Sequence, residues 1–194
     1  MFSLWNEYGI YSGVMKNNGT MNSDTLQLER TQIKKETKSS SRLGYTKLEI
    51  AELVEVMNRL LANYSVHYQK LRNFHWNVKG GDFFDIHEKF EEQYNYSKEA
   101  IDELAERIRV FNQTPLSTMK EYLETSDIKE SGTDLSGMEM VREVIKDYEI
   151  LLEHMFNVIE MAIEHGDSGT EDMVKGFVKR TEKNHWMMTA FSQQ

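Results

Sequence analysis

Two histidines and three acidic residues near the middle of the chain are the side chains best suited to binding a metal ion. His75 and His87 lie twelve residues apart, and Glu91, Asp102 and Glu106 follow them. A mixture of imidazole and carboxylate ligands suits Fe(II), Zn(II) or Mn(II) rather than Ca(II) or Cu(I). These five residues therefore predict a site for a divalent transition metal.

The spacing of four of these residues places them on one face of a helix. His87 and Glu91 are four residues apart, as are Asp102 and Glu106, and at about 100° per residue all four lie within an arc of about 100°. At about 1.5 Å of rise per residue the two pairs are about 22 Å apart, so one ion cannot bind both pairs in one chain. If the same helix of a second copy packs antiparallel across a two-fold axis, each pair lies opposite the other pair of the partner subunit. The spacing therefore predicts a metal site between subunits.

The alternative interpretation is that this acidic stripe is simply the solvated face of a helix. Against it, large apolar residues interleave with the stripe and indicate that much of the helix is buried: Phe83, Phe84, Phe90, Tyr94, Ile101, Leu104 and Ile108. His75, at the end of the preceding helix, is expected to approach His87. His67, eight residues before His75, is predicted to be a packing residue.

Hydrophobic periodicity and turn residues predict an all-α chain. Four long helices are expected, at about Thr46 to Asn77, Asp82 to about Asn112, Asp134 or Ser136 to His165, and Thr170 to Phe191. A shorter helix over Thr118 to Glu124 lies in the long connection between helices two and three. Lengths and connections of this kind are typical of a four-helix bundle of ferritin-like topology.

One Glu-x-x-His motif, Glu182 to His185, is present without a second. An intra-bundle di-iron site of the ferritin type would use two such motifs. Glu182 and His185 are therefore predicted to be surface or packing residues.

Composition separates an arm from the bundle. Residues 1–45 have no sustained period and are predicted to form a flexible N-terminal arm, with 46–194 forming the bundle; Met21 is an alternative start. The whole chain has a net charge of −9. The arm carries six basic and four acidic side chains, hence +2, which leaves −11 for the bundle. An acidic body suits cation uptake and repels nucleic acid, whereas a basic arm does the opposite.

Several classes of protein are excluded or disfavoured. The chain has no cysteine, which rules out disulfides and thiolate sites. No apolar run approaches the ~20 residues of a membrane span, and the first residues lack the pattern of a signal peptide. We therefore expect a cytoplasmic protein with no membrane partner.

Three segments together resemble the Dps-type miniferritins, the family named for DNA protection during starvation. They are the runs Asn73–Gly80, Asp82–Glu91 and Ile101–Arg107, and the similarity continues through Thr118–Glu124 and covers most of residues 46–191. The resemblance implies a hollow dodecamer that oxidises Fe(II), preferably with hydrogen peroxide, and stores the ferric mineral inside. No haem is expected.

The resemblance also implies which residues bind iron. The family's ligands at each two-fold interface correspond to His75, His87 and Glu91 of one subunit with Asp102 and Glu106 of the other, in agreement with the spacing argument. Many members carry Asp where this chain has Glu91, and the longer side chain is expected to bind iron but to shift its position. Trp76, beside His75, is a candidate sink for stray oxidising equivalents; alternatively it only packs at the interface.

Two acids between helices three and four are candidates for an iron-entry channel. The family places acidic three-fold channels there, and Asp167 and Asp172 are the candidates for guiding cations by a focused negative potential. The alternative is that these acids only favour the start of the last helix, with Thr170 as its N-cap.

A rival function is a nucleoid-associated DNA-binding protein with a minor ferroxidase role. Its contacts are expected from the basic side chains Lys34, Lys35, Lys38 and Arg42 of the arm, whose weak phosphate contacts become multivalent on a dodecamer.

For the metal, Zn(II) is expected to bind the site more tightly than Fe(II) and to inhibit iron oxidation, because zinc has no redox change.

Overall fold

The computed structural model describes residues 43–193, and in this part of the chain all regular structure is helical. Five helices follow in order: α1 (Lys47–Asn77), α2 (Phe83–Val110), α3 (Met119–Thr125), α4 (Gly137–His165) and α5 (Ser168–Phe191). The four long helices and the short α3 between α2 and α4 confirm the predicted ferritin-like architecture. The arm to residue 42, including the basic residues Lys34, Lys35, Lys38 and Arg42 and the alternative start Met21, lies outside the described residues.

Local sequence sets where three of the helices begin. Thr46, Thr118 and Ser136 each accept a hydrogen bond from the backbone N–H three residues later, and the glutamate at that position bonds back to the N-cap backbone. These reciprocal capping boxes satisfy N–H groups that have no partner within the helix. At its other end α4 stops at Gly166, whose left-handed backbone (φ 69°) is readily adopted by glycine.

The start of α5 differs from the prediction. The helix begins at Ser168, and Asp167 is its N-cap, accepting a hydrogen bond from the Thr170 backbone N–H. The assignment of Thr170 as N-cap was therefore wrong. Aspartate is as good an N-cap as threonine, and the Asp167 side chain takes the bond three residues earlier than the periodicity suggested.

Helix α1 is the central element, since it packs against α2, α3 and α4, and α4 in turn packs against α5. Apolar side chains fill much of its inward face, and the core continues on the other helices: Leu53, Met57, Leu60, Leu61, Leu71 and Phe74 from α1, Phe90, Leu104 and Ile108 from α2, Met140, Val144, Leu151, Met155 and Val158 from α4, and Val174 from α5. This core holds the last turn of α1 and the first turns of α2 in fixed positions.

A buried ionic group crosses the core between α1 and α4. The Asp147 carboxylate accepts from Lys70 Nζ at 2.7 Å and contacts His67 Nδ1 at 2.9 Å, and all three side chains are at most 3% exposed. His67 is thus buried as predicted, and it has a polar partner as well.

Among the described residues no helix is long and apolar enough to span a membrane.

Candidate metal centre

Three of the five predicted ligands come together where α1 ends and α2 begins. His75 lies in the last turn of α1, and His87 and Glu91 lie on successive turns of α2. Each offers one ligand atom, and these atoms lie within 4.8 Å of one another. Such a separation allows a single metal ion to contact all three, so the structure brings together the half of the predicted site that one chain can supply.

The two histidines fix each other through a pair of crossed hydrogen bonds. His75 Nδ1 lies 2.9 Å from the His87 carbonyl oxygen, and His87 Nδ1 lies 2.8 Å from the His75 carbonyl oxygen. A carbonyl can only accept, so both Nδ1 atoms carry hydrogen. In the neutral rings the lone pair is then on Nε2, which is the atom left to bind a metal.

Aromatic rings flank this pair and hold it in a row of four. The His75 and His87 rings stack with centroids 3.8 Å apart, Phe83 stacks on His87 at 4.9 Å, and Tyr94 meets His75 edge-on at 5.3 Å. The row covers the ring faces and leaves Nε2 of each imidazole to bind a metal. It also restricts the rotation of both imidazoles, because each has a neighbour on either side.

Glu91 is exposed, and among the described residues it has one hydrogen-bond partner. The Tyr94 hydroxyl donates to Glu91 Oε1 at 3.3 Å. Burial raises the pKa of Tyr94, and the neighbouring Glu91 charge raises this pKa further, so the phenol remains a donor. Two nitrogens and one carboxylate are an incomplete coordination set for Fe(II) or Zn(II), and the remaining positions are open to water, substrate or further protein ligands.

Asp102 and Glu106 do not join this cluster within the chain. Both are exposed on α2, about 22 Å along the helix axis from His87 and Glu91. Neither forms a salt bridge with any residue in the described range. Helix α2 therefore carries part of an incomplete ligand set near its start and two further carboxylates near its end. A metal site shared between two subunits requires this arrangement.

Trp76 lies next to the cluster in sequence but outside the row of rings. Its side chain is 59% exposed, and the Arg72 guanidinium lies 4.7 Å from its ring centroid. This exposure leaves the Trp76 ring available as a redox sink or as an interface residue.

The two acids predicted for a channel have different surroundings. Asp167 is 1% exposed, and its carboxylate accepts from Arg107 at 2.6 Å and from the Thr170 hydroxyl at 2.5 Å. Within the chain its charge is therefore neutralised by the arginine, as expected of a structural cap. Asp172 is exposed, and within the described range its carboxylate has no salt-bridge partner, so it could attract cations.

The Glu-x-x-His motif stays on the surface side of α5, in agreement with the prediction. Glu182 is exposed, and His185 Nε2 lies 3.5 Å from Glu149 Oε1 on α4. Neither residue belongs to the metal-binding group identified in the described part of the chain.

Sequence reasoning missed the supporting shell of the site. From the sequence, Phe83 and Tyr94 are predicted only to be buried apolar residues of α2. A usable signal was present, because Tyr94 follows Glu91 by three residues and Phe83 precedes His87 by four, which places each aromatic beside a ligand on the same helical face.

The chain is similar to known proteins over most of the helical region. A family model described as a ferritin-like domain matches residues 54–194. The chain is 44% identical over 143 residues to DNA protection during starvation protein 2 of Bacillus anthracis, covering 74% of this chain and 98% of that protein. It is 43% identical over 140 residues to general stress protein 20U of Bacillus subtilis (strain 168), covering 72% and 97%.

A solved structure agrees with these matches. The DPS protein from Vibrio cholerae O1, described as a member of a broad superfamily of ferritin-like diiron-carboxylate proteins, has a TM-score of 0.75 and 35% identity, covering 78% of this chain and 95% of that one. All five predicted ligands lie within residues 54–194, the range that the family model matches.

Proposed function

Since the chain belongs to the ferritin-like family as a miniferritin of the Dps type, we propose that it is a ferroxidase that binds Fe(II) between subunits. In this proposal His75, His87 and Glu91 of one subunit and Asp102 and Glu106 of its partner form each site. The ferric product is stored as a mineral inside a hollow homododecamer, and removal of Fe(II) and hydrogen peroxide protects the cell against oxidative stress.

The observation that carries this proposal is the division of the ligands along α2. Three ligand atoms converge within 4.8 Å at one end of the stripe, and at the other end lie two carboxylates that have no salt-bridge partner among residues 43–193. An antiparallel two-fold contact between α2 helices would place the first group of one copy beside the second group of the other, and it would do so twice, because a two-fold interface is self-complementary.

The ligand set suits the oxidation of iron. Neutral imidazoles hold Fe(II), while the carboxylates stabilise Fe(III) more than Fe(II), so oxidation is favoured on the protein. Two Fe(II) ions each give one electron to one hydrogen peroxide molecule, whose O–O bond breaks to give two oxygens at the level of water. Pairing the two electrons avoids release of a hydroxyl radical. Water supplies the remaining oxygen ligands of the ferric mineral, and protons are released.

Stopped-flow oxidation of Fe(II) tests the proposal. The metal-free protein, mixed anaerobically with Fe(II) and then with peroxide, should develop ferric absorbance rapidly, and more rapidly than with dioxygen. Separate alanine variants of His75, His87 and Asp102 should each slow the reaction. Prior addition of Zn(II) should inhibit the unmodified protein. Rates that are unchanged in all three variants would refute the assignment, and equal rates with dioxygen would refute the preference for peroxide.

We also propose that Asp172 helps to guide iron toward the interior. The support is its exposure beside the α4–α5 connection, since a free carboxylate there contributes to a negative potential that Asp167, neutralised by Arg107, cannot provide. Asp172→Asn should slow iron uptake without changing assembly. Uptake at the unmodified rate would show that Asp172 only favours the start of α5.

Binding of DNA through the arm is the second candidate function. It is supported by the basic residues Lys34, Lys35, Lys38 and Arg42 and by the name of the Bacillus anthracis relative. A gel shift at low salt, compared with a version that begins at Leu43, tests it. Loss of the shift on truncation supports the arm as the contact, and no shift with either form removes the DNA role while leaving ferroxidase activity unaffected.

A further inference from the structure

The contacts of Tyr94 connect two of the three convergent ligands. Its hydroxyl donates to Glu91 Oε1 at 3.3 Å, and its ring meets the His75 ring edge-on, with centroids 5.3 Å apart and an interplanar angle of 78°. His75 belongs to α1, whereas Tyr94 and Glu91 belong to α2. Tyr94 therefore contacts one ligand on each of the two helices, His75 on α1 and Glu91 on α2.

The Tyr94 ring is itself held in place from α1. Tyr68 packs edge-on against it at 6.2 Å and 79°, and the Arg72 guanidinium lies 5.3 Å from the Tyr68 ring centroid. Edge-to-face pairs of this kind favour one ring orientation. The ring contacts therefore fix where the Tyr94 phenol oxygen lies relative to Glu91.

The hydrogen bond from Tyr94 matters for Glu91 because the Glu91 side chain is exposed and has three rotatable torsions. An exposed glutamate samples many rotamers, and ordering it on metal binding costs entropy. The bond from Tyr94 occupies one lone pair of Oε1 and restricts the torsions, while Oε2 remains free. Among the described residues Tyr94 is the only hydrogen-bond donor to this carboxylate.

We propose that Tyr94 is a positioning residue for the metal site, matched to a glutamate at position 91: its hydroxyl holds the Glu91 carboxylate and its ring holds His75. An aspartate at position 91 is one methylene shorter, so its carboxylate withdraws from the hydroxyl on the next turn. Tyr94 and Glu91 therefore act as a pair. This inference rests on the proposed function only in taking the three convergent residues as metal ligands.

Zn(II) binding to the metal-free assembled protein tests the inference without any redox reaction. Tyr94→Phe keeps the ring and removes the hydroxyl, and it should weaken Zn(II) binding at this site by roughly tenfold, the lower end of the effect of removing a group that orients a ligand. Calorimetric titration measures the affinity. The matched control is Tyr68→Phe, which removes a hydroxyl from the adjacent ring without touching a ligand and should leave the affinity unchanged. The melting temperature of the metal-free protein should be the same for both variants.

A double-mutant cycle separates pairing from general packing. In the Glu91→Asp background, Tyr94→Phe should have almost no further effect, because the shorter carboxylate no longer receives the bond. The inference is overturned if Tyr94→Phe binds Zn(II) as tightly as the unmodified protein, or if its loss is equally large in the Glu91→Asp background. If Zn(II) binding depends on Tyr94 as expected but Fe(II) is not oxidised, the proposed function fails and this inference stands.

Discussion

A site shared between two subunits can be rebuilt from two inactive variants, and this provides the sharpest test of the proposed metal centre. The first variant, His75→Ala with His87→Ala, lacks the nitrogen ligands. The second variant, Asp102→Ala with Glu106→Ala, lacks the carboxylates at the far end of the stripe. Because His87 and Asp102 are about 22 Å apart along one helix, neither variant retains a complete site, and each should oxidise Fe(II) only at the background rate.

The expected recovery follows from the two-fold arrangement. In a pair made of one chain of each variant, one site takes its histidines from the second variant and its distal carboxylates from the first, and this site is intact. The other site of that pair lacks both groups. With random pairing about half of all pairs are mixed, so about a quarter of all sites are restored. The initial rate per chain should therefore rise to about a quarter of that of the unmodified protein.

Co-expression of the two variants with different affinity tags, followed by purification on both tags, isolates mixed assemblies. Native mass spectrometry establishes their composition, and stopped-flow ferric absorbance measures the rate. A mixed assembly that is no faster than its parents would refute a site shared across α2 helices. Full activity in either parent would equally refute it, since one chain would then suffice.

Three further predictions concern the scaffold. Asp147→Asn should lower the free energy of unfolding by about 3 kcal/mol in chemical denaturation, because the neutral amide leaves the buried Lys70 ammonium without a counter-charge; a loss below about 1 kcal/mol would contradict this. Hydrogen bonds from Ser136 hold the pKa of Glu139 below its ordinary value, so its stabilisation is present at neutral pH and is lost as the pH falls through that lowered pKa. Glu139→Gln should consequently melt below the unmodified protein at pH 7 and nearly with it in acid, whereas a constant difference would argue against the linkage. Asp167→Asn keeps the N-cap but removes the charge facing its arginine partner, so a loss of about 1–2 kcal/mol is expected, with iron uptake unchanged in the folded protein.

The helices could be predicted from the sequence because their signals are local. Thr46, Thr118 and Ser136 are each followed three residues later by glutamate, and each is the N-cap of a helix. The exception is the last helix, where aspartate and threonine compete as caps within four residues and the periodic pattern does not distinguish them. The buried contact of Asp147 with Lys70 had no local signal, since these residues are 77 positions apart.

The metal ligands could be predicted because helical spacing alone places them, but their orientation could not. The approach of His75 to His87 depends on the path of the short connection from Val78 to Asp82, which has no periodic pattern. The crossed bonds from each Nδ1 to the other's carbonyl follow from that path. Which nitrogen faces the metal is thus a property of the fold and is not contained in the spacing of the histidines.

The crossed histidine bonds also bear on what happens when the site is empty. In many small metal-binding proteins the ion itself organises its ligands, so that metal binding and folding are one process. Here hydrogen bonds to backbone carbonyls hold the two imidazoles across α1 and α2. In the proposed ferroxidase, ligands held in this way keep their positions when an oxidised iron ion leaves the site and the next Fe(II) ion enters.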